Sequence, residues 1–557
     1  MVQKAWLNVP WGQVHLRYAG SGLPVLLLHD SPRSSVLHVP VLEALADEFT
    51  AIALDTPGYG LSTPLPMPQP EITDFAGALA RALSALDVGP CPIYAFHTSS
   101  KIALELAVQI PDCATVFVLD GLSIPADGPD PAFIRSYMQP FEPSVDGSHV
   151  AAGYTRVRDF HRFFPWFAHS AATRMPLELP DAHALHVYAT DLFMAGPHYR
   201  DAYSAAMRYR PVPAVQRLRS RTIFMCREDD VLYSHLDRLP QLPPRASIER
   251  LGADRDRWLA RLRELFRTYP APRRSFAPPD PLAAASDGEQ RQGYVDTSSG
   301  QLRVRRQGGH GARPVLLLHD LPGSSAQLSD LMAAIAVDRT VIASDAPGLG
   351  ESSAIDELDL DRHAASLQAL IDGLALDSVD VYAELLAGPL ALALATRAPD
   401  RVHRLVLDGL VMPGSAQRRR LRKQYCPRLE PRSDGTHLIG LWHQLRDQEL
   451  AWPWYARTVE AIRPIDPQIG PMRLHAMLVD VMKQPQSYGA AALAALDCDI
   501  RSLTAVVQQP VLLTQRPGDP RYVAVDSAAR QLRHATLAPR PPGNSELAQL
   551  LRAFLDA

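Results

Sequence analysis

The sequence predicts two tandem α/β domains, each a doubly wound and mostly parallel sheet. Three observations lead there. The chain repeats itself: VLLLHDSPRSS at 25–35 returns as VLLLHDLPGSS at 315–325, and IALDTPGYGLS at 52–62 returns as IASDAPGLGES at 342–352. VFVLDGL at 116–122 likewise returns as LVLDGL at 405–410. A period of about 290 residues is far longer than a solenoid unit of roughly 20–50 residues, so it reads as one whole fold duplicated in tandem. Short apolar runs also alternate with helical patterns inside each copy, as in a parallel sheet covered on both faces. Finally, 269–290 is rich in Pro and Ala without periodicity and reads as a linker.

Each copy opens with a short strand and hairpin leading to a continuous apolar run, Val25–Leu28 or Val315–Leu318. In the first copy Ala51–Leu54 reads as a strand, Asp74–Leu86 as an amphipathic helix and Ile93–Ala95 as a strand. Lys101–Gln109 then reads as a helix and Thr115–Leu119 as a strand. A less regular segment follows, about 123–215 in the first copy and 411–505 in the second. The sheet pattern resumes at Thr222–Cys226 and Val511–Thr514, and the copies close on helices Arg257–Phe266 and Glu546–Leu555. The expected domains are 1–268 and 291–557, packed on one another as an intramolecular pseudo-dimer.

Composition narrows the function. With 557 residues each copy can bury a full core, and a net charge of −4 gives no general attraction to nucleic acid or anionic lipid. Lysine occurs only at Lys4, Lys101, Lys423 and Lys483, so lysine chemistry has few candidates. The N-terminus has no basic-then-apolar signal pattern, and no apolar run reaches the ~18 residues of a membrane span. Five separated cysteines read as reduced thiols in a cytoplasmic protein. Arg418-Arg419-Arg420 with Arg422 and Lys423 reads as a solvated face that could also hold an anionic group or a partner. No nucleotide-binding glycine loop is present, so no cofactor is expected.

Three motifs carry a resemblance to a known family. They are His29-Asp30-x-Pro32 with His319-Asp320-x-Pro322, the pair Asp55-x-Pro57-Gly58-x-Gly60-x-Ser62 and Asp345-x-Pro347-Gly348-x-Gly350-x-Ser352, and the helix Ile102–Ala107. With a helical segment inserted after the sixth strand, the chain resembles the lidded α/β-hydrolase family over nearly the whole of both copies. That resemblance implies an HGxP-type oxyanion loop at Asp30 and Ser31, lids at 123–215 and 411–505, and a nucleophile on a tight strand-to-helix turn.

Counting back from Ile102, the family's G-x-S-x-G pentapeptide falls on Ala95-Phe96-His97-Thr98-Ser99. Aligned through Tyr94 and Tyr382, its counterpart is Ala383-Glu384-Leu385-Leu386-Ala387. The nucleophile position is therefore His97 in the first copy and Leu385 in the second. Leu385 can neither attack nor bind a proton. Asp229 and Asp519 match the acid position, while the loops expected to carry the base, 252–256 and 541–544, contain no histidine. Neither copy can assemble a Ser-His-Asp relay from these positions.

The function therefore turns on His97. It reads either as a residue left in a degenerate pocket or as a group that acts as base or, less often, as nucleophile, oriented by Asp229 if the fold brings them together. Backbone N–H groups beside Thr98 and along Asp30–Ser31 are the expected oxyanion donors. A slip of one residue would make Thr98 or Ser99 the nucleophile. His149, His161 and His186 in the first lid are candidates for the missing base, with Trp166 beside them. These histidines lack metal-ligand spacing, and no metal is expected. Asp146-Gly147-Ser148-His149 returns as Asp434-Gly435-Thr436-His437, and its persistence in the copy without a nucleophile favours a structural turn or cap.

The resulting expectation is a non-canonical hydrolase of small ester- or thioester-like substrates, with the second domain as a pseudo-domain. The alternatives are a degenerate ligand- or partner-binding protein and a proton-transfer lyase or isomerase.

Overall fold

The computed structural model describes residues 2–272, 276–282, 288–309, 312–355 and 359–557. It holds two eight-stranded sheets. The first is built from β1 (Gln3–Val9), β2 (Gly12–Ala19), β3 (Leu23–Leu28), β4 (Phe49–Leu54), β5 (Cys91–Phe96), β6 (Ala114–Asp120), β7 (Thr222–Arg227) and β8 (Ala246–Leu251). The second contains β9 (Arg291–Thr297), β10 (Gly300–Gln307), β11 (Ala312–Leu318), β12 (Arg339–Ser344), β13 (Val379–Glu384), β14 (Val402–Asp408), β15 (Val511–Gln515) and β16 (Ala535–Pro539).

Strand order in the first sheet is β1-β2-β4-β3-β5-β6-β7-β8, and the second runs β9-β10-β12-β11-β13-β14-β15-β16. Only the opening hairpin and its pairing with the next strand are antiparallel. The registers also agree, since Tyr94 pairs with Val118 and Val118 with Ile223, as Tyr382 pairs with Val406 and Val406 with Leu512. This is the doubly wound arrangement of the α/β-hydrolase fold, present twice.

Burial on both faces explains the unbroken apolar runs. Along β6, Val116 and Val118 point to one face, against Leu262, Leu265 and Phe266 of the helix Arg255–Thr268. Phe117 and Leu119 are buried on the other face. In the second sheet Val315 and Leu317 pack with Leu547 and Leu551 of the closing helix Asn544–Leu555. The helix Ile72–Leu86 opens on a capping box between Glu71 and Asp74.

By contacts the chain divides into two compact units. One comprises Met1–Glu142, Arg156–Pro180 and Tyr188–Asp280, and the other Pro143–Thr155, Asp181–Val187 and Pro281–Ala557. Two short pieces of the segment between β6 and β7 thus belong to the second unit. Within the expected linker, 273–275 and 283–287 lie outside the described residues. Among the described residues no helix is long and apolar enough to cross a membrane.

Candidate functional site

The repeated motifs form a frame beneath the strand-to-helix turns. Asp55 accepts hydrogen bonds from the Ser35 N–H (2.6 Å), the Leu61 N–H (3.1 Å) and the His15 ring (2.9 Å). Asp345 likewise accepts from the Ser325 and Glu351 N–H groups and from Arg303. Gly60 adopts φ 55°, and a Cβ there would lie 2.2 Å from the Asp55 carboxylate, so only glycine fits. His29 bridges its own loop to the next: its Nδ1 donates to the Asp30 carbonyl (2.7 Å) and its Nε2 accepts from the Thr56 N–H (3.0 Å). His319 does the same with Asp320 and Ala346. A backbone carbonyl only accepts and an N–H only donates, so both imidazoles are held as the Nδ1–H tautomer. These motif residues position loops.

Above that frame, β5 ends at Phe96 and a helix begins at Thr98, with His97 between them at φ 49°, ψ −107°. Gly121, at the end of β6, makes room for the ring: a Cβ there would fall 2.3 Å from His97 Cδ2. Phe96 stacks on the imidazole at 3.9 Å between centroids. His97 Nε2 lies 2.9 Å from Oδ2 of Asp230, whose Oδ1 accepts from the Leu232 N–H. Because the carboxylate accepts, the proton sits on Nε2 and the Nδ1 lone pair is left open. Nδ1 makes no hydrogen bond among the described residues, and the His97 side chain is 24 % exposed.

Electrostatics reinforce the pair. Burial alone would lower the pKa of His97, but the hydrogen bond and charge of Asp230 carry it above the ordinary value. Burial would raise that of Asp230, yet the His97 bond and charge bring it below the usual carboxylate range. Asp30 is also within electrostatic reach of His97; its carboxyl is held above the ordinary value by burial, against the lowering influence of Arg33 and His97. Asp30 Oδ1 is buried without a hydrogen bond among the described residues.

The expected orienting residue, Asp229, is not the one found. Its carboxylate turns outward, 44 % exposed, to pair with Arg227 at 2.9 Å. Asp230 takes the role instead, and a gapless count signals it: Ile223 and Leu512 share a register, which places Asp230, not Asp229, opposite Asp519.

The second half closes the corresponding features. Leu385 holds the turn at φ 46°, so the strained backbone persists with an aliphatic side chain in place of the imidazole. Oδ1 of Asp320 accepts from the N–H groups of Leu321 (2.8 Å) and Leu386 (3.1 Å), so both donors are taken up. In the first half the equivalent Ser31 and Thr98 N–H groups have no acceptor among the described residues. Asp519 is bound on both oxygens by Arg521, with Arg463 nearby at 3.7 Å. Beside Leu385 stands Glu384, which sequence reasoning passed over. Burial, then the charges of Asp408 and Asp320, push its carboxyl up to about 7.

Of the other expected site residues, Ser99 donates its hydroxyl to the His29 carbonyl and Ser100 to those of Ala95 and Asp120. Both hydroxyls are therefore tied to the fold. His149 and His186 are engaged with other histidines, a correction to their candidacy as bases. His149 Nε2 lies 3.3 Å from Nδ1 of His475, and His186 Nδ1 lies 3.1 Å from Nε2 of His437, all within the second compact unit. The Ser144 and Arg432 N–H groups donate to Nδ1 of His149 and His437, which assigns each pair a neutral hydrogen-bonded relay. Asp146 and Asp434 accept from the N–H groups two residues on, as turn residues do.

His161 is different. It has Arg33 and Asp30 among its electrostatic neighbours and packs edge-on against Tyr188 at 5.2 Å. Trp166 donates to the Tyr137 carbonyl and packs among aromatic rings. The loop before the helix Arg255–Thr268 supplies no imidazole; instead Trp258 Nε1 donates to Asp120 (3.0 Å). Among the described residues no group of three or more His, Cys, Asp or Glu is arranged to hold a metal.

Comparison with known proteins gives partial matches. Residues 313–425 match the α/β hydrolase fold family. The match falls in the half whose turn carries leucine. The dihydrolipoyllysine-residue acetyltransferase component of the acetoin cleaving system of Pseudomonas putida is 36 % identical over 107 residues, 19 % of this chain and 29 % of that protein. The 2-hydroxy-6-oxo-2,4-heptadienoate hydrolase of Pseudomonas putida is 37 % identical over 103 residues, 18 % of this chain and 37 % of that one. The chain thus matches well under half the length of these curated relatives. Among solved structures, a hydrolase from Pseudomonas aeruginosa aligns with 48 % of this chain and 96 % of its own, at 21 % identity and a TM-score of 0.37.

Proposed function

We propose that the chain arose by tandem duplication and that its first half is an acid–base site working through His97. The observation that carries this is the His97–Asp230 pair: a fixed Nε2–H tautomer, an open Nδ1 and a raised imidazole pKa at a strained turn. In hydrolysis of a small ester or thioester, Nδ1 takes a proton from a water molecule as the water oxygen bonds to the carbonyl carbon. The carbonyl oxygen becomes an oxyanion facing the unoccupied Ser31 and Thr98 N–H groups. Collapse breaks the bond to the alkoxide or thiolate, which leaves with the imidazolium proton. General-base assistance of this kind is worth about 100- to 10,000-fold.

The second half, with Leu385 at its turn and Asp320 over its own N–H donors, is a non-catalytic partner domain on this reading. A second reading, proton transfer at a carbon next to a carbonyl, draws support from Asp30. A carboxyl with raised pKa beside an imidazole supplies the donor and acceptor such a reaction needs.

A panel of activated p-nitrophenyl esters and thioesters tests the first reading. Turnover should appear and be lost in His97→Ala. Turnover that survives this substitution, or none at all with the wild-type chain, overturns it. Solvent-deuterium exchange into a ketone without hydrolysis, dependent on His97 and Asp30, would favour the second.

A further inference from the structure

The second half contains a cavity of about 310 Å³, within the range of roughly 300–1,000 Å³ usual for small-molecule sites. Leu410, Met412, Trp452 and Pro453 give it apolar walls, Arg521 stands in one wall, and Glu460 is also in the lining. Glu460 is exposed, so it marks the mouth, whereas Arg521 is largely buried. No catalytic residue of the first half takes part.

Arg521 is built to receive a ligand. Its Nε and Nη2 are bound to Asp519 at 3.2 and 3.1 Å, which locks the guanidinium plane. Asp519 in turn faces Arg463, so its charge is shared between two arginines. Nη1 of Arg521 makes no hydrogen bond among the described residues, and Arg521 is part of the cavity lining. Asp320, the other carboxyl within electrostatic reach, has its Oδ1 taken up by the Leu321 and Leu386 N–H groups. A planar, permanently charged group with an unfilled donor, set in the lining of a cavity with apolar walls, suits a carboxylate.

We propose that this cavity binds a small organic monocarboxylate with an apolar body, its carboxylate on the open edge of Arg521 and its hydrocarbon part along Trp452 and Met412. A monoanion fits better than a phosphate dianion, because Asp519 already offsets part of the Arg521 charge and Glu460 stands in the lining. The second half would then be a binding module whose occupant the first half need not turn over. This inference stands apart from the chemistry assigned to His97.

Isothermal titration calorimetry on the full chain tests it, with 4-phenylbutyrate as probe and 4-phenylbutan-1-ol and 4-phenylbutylamine as comparators. The acid should bind saturably at one site, and the alcohol and the amine at least about tenfold more weakly. Arg521→Gln should abolish binding. Because that change leaves Asp519 short of a partner, Ala524→Trp serves as a second variant: it fills the cavity, keeps the ion pair and should also abolish binding. Neither effect should alter turnover dependent on His97. Absence of saturable binding up to about 10 mM, equal binding of the alcohol, or full affinity in a folded Ala524→Trp protein would overturn the proposal.

Discussion

Oδ2 of Asp230 lies 2.9 Å from Nε2 of His97, while the adjacent Asp229 turns outward to Arg227. Asp230→Asn should therefore lower turnover by about 100-fold, as loss of a positioned acid–base group does. Asp229→Asn should change it by no more than about fivefold, since an exposed ion pair is worth at most about 1 kcal/mol. Steady-state kinetics on the two variants checks the assignment.

Gly121 is fixed by what it faces. At φ 64°, with a Cβ destined for the His97 ring, Gly121→Ala should destabilise the fold by about 1–3 kcal/mol and displace the imidazole. Denaturant unfolding and turnover should both fall. In the second half, a Cβ at Gly409 would meet Leu385 and Tyr522. Gly409→Ala should lower stability alone.

Much of this was legible in the sequence. The repeats located both sheets, and the register through Tyr94, Tyr382 and the IALELA helix put His97 and Leu385 on the two turns. The edge strands Ala246–Leu251 and Ala535–Pro539 carry no clear signal because they are half exposed and mix polar with apolar residues. Asp229 and Asp230 are neighbours of identical chemistry, and only the sheet register separates them. The His-Asp pairs at 29–30 and 319–320 are identical in sequence, yet Asp320 caps two N–H groups and Asp30 Oδ1 caps none. Side-chain direction decides this, and a motif does not record it. The His149 and His186 relays depend on partners some 250–330 positions away, beyond any local pattern.

Charge balance around Asp519 gives a stability test. Asp519→Ala leaves Arg463 and Arg521 without their shared acceptor, and losing one partner of a buried ion pair costs about 3–5 kcal/mol. Turnover per folded molecule should stay unchanged. A large loss of rate in a folded Asp519→Ala protein would assign the second half a catalytic role.

Acidification should weaken the histidine relays. Burial, and then the neighbouring imidazole in each pair, lower His149 and His437 to about 4. Between about pH 4 and 6.5 the unfolded chain binds protons that the folded chain refuses, so stability rises with pH across that window. Asp146 opposes the shift at His149 and Asp434 that at His437, where Arg432 adds to it, while His183 lowers the partner imidazole His186. Urea unfolding at pH 4.5 and 7.5 should differ by up to about 2 kcal/mol per imidazole. The paired variant His149→Gln, His437→Gln should flatten part of that slope.

The pH dependence of kcat/KM, in the wild type and in Asp230→Asn, tests the central claim most directly. With His97 as base, the rate should climb with pH along a limb centred above about 6.5, and Asp230→Asn should move that centre downward, because the imidazolium loses its carboxylate. A limb that keeps its position in Asp230→Asn, or a rate independent of pH through this range, would contradict the account.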